Sequence, residues 1–331
     1  MYRILTIAIL AGLILLGGCS TQSGDILLNV DFPENQTLRY KFLTNREVDL
    51  SLNGSGGGKE QTTTEGLEMV VAYTPIETDI YGNTTVEAVC ESIKINRQTL
   101  TSRPSTGDDP VASVKGKSWQ FTVNSFGEIQ DYSGMQAVVK SLGEKAITES
   151  GKRRIKDPDL IWDFVATQWF MWDALSSNKK LYSGVSAGDS WNSALLLPFG
   201  VRIPAERSVE YTVDENYVEG SDIVSINSLY DFRGYENVDG KLTFRSILEN
   251  MPQPYEGSFQ TRGMFGFLRD YKAERLEGEG KASYDINRGI LLSDSQRYEV
   301  DMTAAFMFPL GDTSPVLNVV QTIDIELIDG K

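Results

Sequence analysis

Histidine is absent from all 331 residues. That removes the side chain that titrates nearest neutral pH, and with it the commonest general base and the commonest metal ligand. Cysteine occurs only twice, too few for a disulfide framework. Basic residues are outnumbered, 31 against 46 acidic, leaving a formal charge of −15. Such a chain lacks the cationic surface with which general nucleic-acid binders meet phosphates. Long apolar runs are scarce too. Ile4 to Leu16 is broken by Thr6 and Gly12, and is shorter than the roughly 20 residues that span a bilayer comfortably. What is present suffices for ordinary cores. Hydrophobic residues make up 40% and aromatics 10%, which argues against disorder of the whole chain. The length suggests about two domains.

The N-terminus carries the sharpest signal. Arg3 is followed by the short apolar run and then by Leu16-Gly17-Gly18-Cys19. A charged start, a short apolar core and small residues before a cut describe a secretory signal. Leu16-Gly17-Gly18-Cys19 closely resembles the lipobox of bacterial lipoproteins. The resemblance implies that residues 1–18 are a signal peptide and that Cys19 receives a diacylglycerol on its thiol. Residues 19–36, polar and mixed, then read as a lipidated tether. Several acyl chains on one residue anchor firmly, since each buried methylene contributes roughly 0.8 kcal/mol. The implied location is the cell envelope, lipid-anchored. In a Gram-negative cell Ser20 implies the outer membrane, with the protein facing the periplasm or the surface. Cys90 is then left without a disulfide partner, and Val86 to Cys90 reads as a strand in which it is a small buried hydrophobe.

From Leu38 onward the period is mostly two. Leu38, Tyr40 and Phe42 alternate with Arg39 and Lys41, and Val48, Leu50 and Leu52 alternate with Asp49 and Ser51. Further strands are expected at 67–73, 84–95 and 119–123. Within 84–95 the apolar parity shifts from Val86, Ala88 and Cys90 to Ile93 and Ile95, which suggests a bulge or a two-sided strand. The pattern then turns helical over 135–150 and, after Asp157-Pro158-Asp159, over 160–175. Strands return at 194–197, 209–213, 223–229, 263–268, 281–286, 290–300, 303–308 and 317–328. Phe121 to Ile129 and Tyr284 to Ile290 share the order aromatic, polar, aliphatic, Asn, turn, Gly, apolar. Duplication and coincidence both account for that likeness. The expected fold is mainly β (α+β). It has two antiparallel sheet lobes, 37–183 and 184–331, with an internal repeat as one option and a helical pair around 135–176.

Several motifs dissolve on inspection. Gly184-Val185-Ser186-Ala187-Gly188 matches the hydrolase nucleophile elbow, but there is no histidine to take a serine proton and a strand follows. Ser177-Asn178-Lys179-Lys180 matches a serine–lysine pair, yet sits in a polar stretch at a helix end. Gly116-Lys117-Ser118 lacks the first glycine of a P-loop, position 111 being Val111. Asp214 to Asp222 is acidic, but Val218 and Glu219 stand where a calcium loop wants an oxygen ligand and glycine. No metal site and no cofactor are assigned. Lys152, Arg153, Arg154 and Lys156 form a small basic cluster, read as a solvated junction, with contact to anionic lipid headgroups as the alternative.

The most aromatic segment, Leu160 to Leu175, has apolar residues nearly all round, so most of that helix is expected to be buried. Trp162, Trp169 and Trp172 are the candidate lining of a ligand pocket, with packed core as the alternative. The arrangement around Asp163 to Phe170 and Gly263 to Leu268 resembles an uncharacterised family of bacterial lipoproteins, which implies a class without a mechanism. Two functions follow. One is a non-enzymatic envelope protein that binds a protein partner or serves assembly. The other is a half-barrel carrier of a lipid or other hydrophobic ligand. An enzymatic reading would need two carboxylates facing across a cleft at about 5–5.5 or 6.5–9.5 Å, and 46 acids in one sequence do not single out a pair.

Overall fold

The structure, a computed structural model, describes residues 26–34, 36–53, 60–98, 109–135, 137–138, 141, 159–178, 184–196, 206–231, 268–306 and 314–329. The strands are β1 (Leu38–Asn53), β2 (Glu60–Thr78), β3 (Thr84–Gln98), β4 (Ser118–Val123), β5 (Ile129–Asp131), β6 (Ser190–Leu196), β7 (Glu206–Val213), β8 (Ile223–Asp231), β9 (Leu268–Asp285), β10 (Ile290–Phe306) and β11 (Ser314–Asp329). Among the described residues, α-helix is found in α1 (Asp159–Ser176) and at 133–135, 137–138 and 141, and a short 3-10 turn (Pro110–Val114) accompanies them. The expected mainly β class holds.

The strands form one antiparallel sheet in the order β5-β4-β3-β2-β1-β11-β10-β9-β8-β7-β6. The expected two sheet lobes are therefore two halves of a single sheet. They join where β1 pairs with β11, from Arg39 opposite Asp329 to Asn53 opposite Ser314. Local alternation marks a strand but does not name a partner almost 300 residues away, so this join was not readable locally. A second refinement concerns the bulge. Val70 opposes Ser92 and Val71 opposes Cys90, so Glu91 is the extra residue that shifts the parity of β3.

One face of the sheet is buried. Tyr40 and Phe42 of β1, Met69, Val71 and Tyr73 of β2, Ile226 of β8, Tyr284 of β9 and Ile325 of β11 all point to it. That face is curled. Tyr73 on β2 and Tyr211 on β7 lie six strand spacings apart, about 29 Å along a flat sheet. Both hydrogen-bond the same helix, at Gln168 and Asp173. Those two residues are separated by an axial rise of only about 7.5 Å. The sheet therefore wraps α1 in its hollow while its edges, β5 and β6, stay unpaired with each other.

Residues 26–34 do not run free as a tether. Ile26, Leu28, Val30 and Phe32 are buried and alternate with exposed Leu27, Asn29 and Asp31. The segment laces one end of the hollow. Ile26 pairs with Val185, the Val30 N–H donates to Ser125 O at 2.8 Å, and the Asp31 N–H donates to Gly289 O at 2.9 Å. Ser125 and Gly289 lie in the two hairpin turns that resemble each other in sequence. A shift of six places along the sheet carries β4–β5 onto β9–β10. Gly127, in the first of these turns, has φ +86° and lies against Trp172, where a Cβ would come within 2.7 Å of the tryptophan Cβ.

Candidate functional site

The candidate site is built around α1, the helix in the hollow of the sheet. Phe164 packs edge-on against Phe42 of β1 at 5.2 Å and Trp119 of β4 at 5.8 Å between ring centroids. Trp172 is buried and meets Phe32 of the N-terminal segment edge-on at 5.9 Å. Phe170, Met171, Ala174 and Leu175 are buried as well. Phe170, Met171 and Leu175 each contribute roughly 1.5–3 kcal/mol by burial. Trp169 is half-buried and packs on Tyr132 at 5.3 Å. The side chain of Trp162 lies outside the described residues. Trp169 and Trp172 are thus held by aromatic partners, Tyr132 and Phe32.

Polar bonds fix the helix to both halves of the sheet. The Tyr73 hydroxyl donates to Gln168 Oε1 at 2.5 Å. The Tyr211 hydroxyl donates to Asp173 Oδ2 at 2.6 Å, and Ser193 Oγ donates to Asp173 Oδ1 at 2.9 Å. The Tyr284 hydroxyl donates to Met171 O at 3.1 Å. Trp191 Nε1 donates to Ala174 O at 3.0 Å, so the last turn is capped by a side chain of β6. Burial pushes the phenols of Tyr73 and Tyr284 well above their ordinary value, which keeps them as donors. A cleft of about 290 Å³ opens beside this end of the helix, between Ser177, Asn178, Val185, Asp189 and the start of β6.

A polar row crosses the buried face. In register from β3 to β8 stand Arg97, Glu65, Arg46, Gln321, Tyr298, Gly278 and Tyr230. Arg46 Nη2 lies 2.6 Å from Glu65 Oε2 with its side chain only 6% exposed. Arg97 bridges Glu65 at 3.0 Å and Asp109 at 2.9 Å. Asp109 also caps the 3-10 turn by accepting from the Val111 N–H. Farther along, the Tyr298 hydroxyl donates to Gln296 Oε1 and Gln296 Nε2 to Asp294 Oδ2. Tyr230 and Tyr298 stack edge-on at 4.6 Å. Sequence reading passed over this row. Its signal was there: Arg46, Glu65, Arg97 and Gln321 all fall on the apolar parity of their strands.

The discarded motifs sit as ordinary structure. The Ser186 N–H donates to Asp189 Oδ2 in a turn that runs into β6, not into a helix. Ser177 Oγ donates back to Asp173 O at the helix end. Gly116 precedes β4. Asp214 is held by the Asn216 N–H and by Lys281, which lower its carboxyl to about 2. Cys90 is fully buried, and burial pushes its thiol up to about 11. Among the described residues no three Asp, Glu or Cys side chains gather as a metal site. None of the described helices is long and apolar enough to cross a membrane. Cys19, the basic cluster 152–156 and most of the expected helix at 135–150 lie outside the described residues, as does Gly263 to Phe267.

No protein-family model matches the chain, and no curated protein matches it. Among solved structures, OpdQ of Pseudomonas aeruginosa aligns over 87% of this chain and 98% of its own, at 9% identity and a TM-score of 0.18. OpdO of the same organism aligns over 88% of this chain and 97% of its own, at 9% identity and a TM-score of 0.13. Scores of that size do not define a shared fold.

Proposed function

We propose that this chain is a lipid-anchored protein of the bacterial envelope whose body is a non-enzymatic module for binding or assembly. The observation that carries the reading is the closeness of anchor and body. The lipobox-like Leu16 to Cys19 ends seven residues before Ile26, and Ile26 is already built into the core. An acyl group at Cys19 would hold the whole sheet close to a membrane. The test is a mass measurement on the full chain made in a bacterial host, followed by crosslinking in intact cells. An N-terminal acylated Cys19 and a reproducible protein crosslink are expected. A mature chain that keeps residues 1–18, or a free Cys19 thiol, would overturn the anchor.

One observation favours the carrier of a hydrophobic ligand as a second reading. Beyond the polar row, toward the Asn53 end of the hollow, Val48 and Leu50 of β1 are half-buried and pair with buried Val319 and Leu317 of β11. On β1 these residues lie on the other side of Arg46 from Phe42, which packs on Phe164 of α1. Native mass spectrometry on the detergent-extracted chain separates the two readings. An added lipid mass beyond that of the acylated Cys19 supports the carrier, and its absence counts against it.

A further inference from the structure

The described large hydrophobic side chains that face solvent are not scattered. Leu27, Ile76, Ile80, Tyr81, Val218, Ile223 and Ile328 are exposed at one end of the sheet, and Leu229, near the opposite end of β8, is the exception. That end carries the β2–β3, β4–β5, β7–β8 and β9–β10 turns and the N-terminal segment 26–34. The β2–β3 tip is the clearest case. Ile80 is 91% and Tyr81 82% exposed. Turn positions of this kind ordinarily hold Gly, Asn, Asp or Ser, because those residues bond locally and need no packing. Here the bonding is supplied from outside the pair. Asp79 Oδ1 accepts from the Tyr81 N–H at 2.8 Å and the Asn83 N–H at 2.9 Å, and Asn83 Nδ2 donates to Asp79 Oδ2 at 2.8 Å. The tip is preorganised to hold an isoleucine and a tyrosine in water, a local cost with no return within the fold.

We infer that this end of the sheet docks on a neutral lipid surface, with Ile80 and Tyr81 seated at headgroup depth. The inference rests on the proposed anchor for its occupant. Ile26 is fastened at the same end, and the seven residues back to Cys19 reach at most about 25 Å. An acylated Cys19 therefore keeps the tip within reach of the bilayer to which the anchor belongs. Tyrosine suits the membrane–water boundary, its ring apolar and its hydroxyl wet. The charge around the tip selects the lipid. Glu77, Asp79, Glu215 and Glu219 stand exposed at this end, on a chain of net charge −15. An anionic bilayer repels them, so the surface is zwitterionic.

The test uses the full chain made in a bacterial host and reconstituted in phosphatidylcholine–phosphatidylethanolamine vesicles. An environment-sensitive fluorophore is placed at Ile80→Cys and, as control, at Lys94→Cys, about 33 Å away along β3. Nitroxide-labelled lipids should quench the probe at position 80 at least threefold more than the probe at 94. Adding phosphatidylglycerol should reduce that difference. Equal quenching at both positions overturns the docking, as does a stronger signal with phosphatidylglycerol or a tip that crosslinks only to protein in cells. The mass of the same preparation reports acylation of Cys19. A missing acyl group sinks the anchor, while the quenching still decides the tip.

Discussion

The hydroxyl of Tyr211 on β7 donates to the carboxyl of Asp173 on α1 at 2.6 Å, and so ties the helix to the half of the sheet that lies far from the polar tie at Tyr73. Because the two ties reach one helix from strands six spacings apart, they hold the curl of the sheet as well as the seat of the helix. Tyr211→Phe removes one donor from a buried carboxyl and should cost about 1–3 kcal/mol in urea unfolding. Ser193→Ala acts on the same carboxyl through Asp173 Oδ1. The two substitutions together should depart from additivity, as groups sharing one acceptor do. Additive effects, each within experimental error of zero, would show that Asp173 does not hold the helix.

Glu65 joins two guanidinium groups on the buried face, Arg46 at 2.6 Å and Arg97 at 3.0 Å. Glu65→Gln sets a neutral amide beside the buried Arg46 guanidinium, while Arg97 keeps its bridge to Asp109. Breaking a buried pair from one side costs roughly 3–5 kcal/mol. Glu68, three residues on, pairs with Lys94 on the outer face, where solvent and salt screen the attraction. Glu68→Gln should change the unfolding midpoint far less than Glu65→Gln. Equal effects of the two would mean that the polar row contributes no more than a surface pair.

Gly127 has no alternative residue at its position. Its φ of +86° is strained for any side chain, and a Cβ there would crowd Trp172 and Val30. Gly116 has φ +76° with open space around it. Gly116→Ala should cost about 1–2 kcal/mol for the left-handed backbone alone. Gly127→Ala adds overpacking of roughly 1–3 kcal/mol and should also speed proteolysis of the segment 26–34. The comparison of the two variants by thermal unfolding separates strain from contact. Equal losses would remove the contact from the explanation.

Much of this architecture was legible from side-chain parity. The alternation of Leu38, Tyr40 and Phe42, the parity shift before Ile93 and the all-round apolar helix at Leu160 to Leu175 each became β1, the β3 bulge and α1. Two things were not. The pairing of β1 with β11 depends on a contact between distant segments of similar pattern, and no local period encodes it. The candidate site was missed for another reason. Arg46 and Glu65 look like solvated residues until their parity is counted, because a charged side chain on a buried face makes sense only once its partner strand is known. The exposed Ile80 was likewise invisible, since a single apolar residue in a turn is unremarkable before its exposure is measured.

Cys90 offers a chemical clock for opening. It is fully buried in β3, and burial pushes its thiol up to about 11, so at pH 8 it is neutral and shielded. A maleimide should leave the Cys90 peptide unlabelled in native protein and label it once denaturant opens the sheet. Rapid labelling of native protein at pH 8, read by peptide mass spectrometry, would show that β3 opens without global unfolding.

The N-terminal segment gives the sharpest separation between a tether and a structural strap. A tether tolerates substitution, because nothing packs on it. Phe32 is instead buried against Trp172, and its neighbours Val30 and Asp31 bond the turns at Ser125 and Gly289. Phe32→Ala should cost about 3–5 kcal/mol, the usual range for emptying a buried phenylalanine site. Asn29→Ala, on the exposed parity of the same segment, should change stability little. If both variants unfold like the parent in urea, the segment is a tether after all, and the short link between Cys19 and the sheet is lost with it.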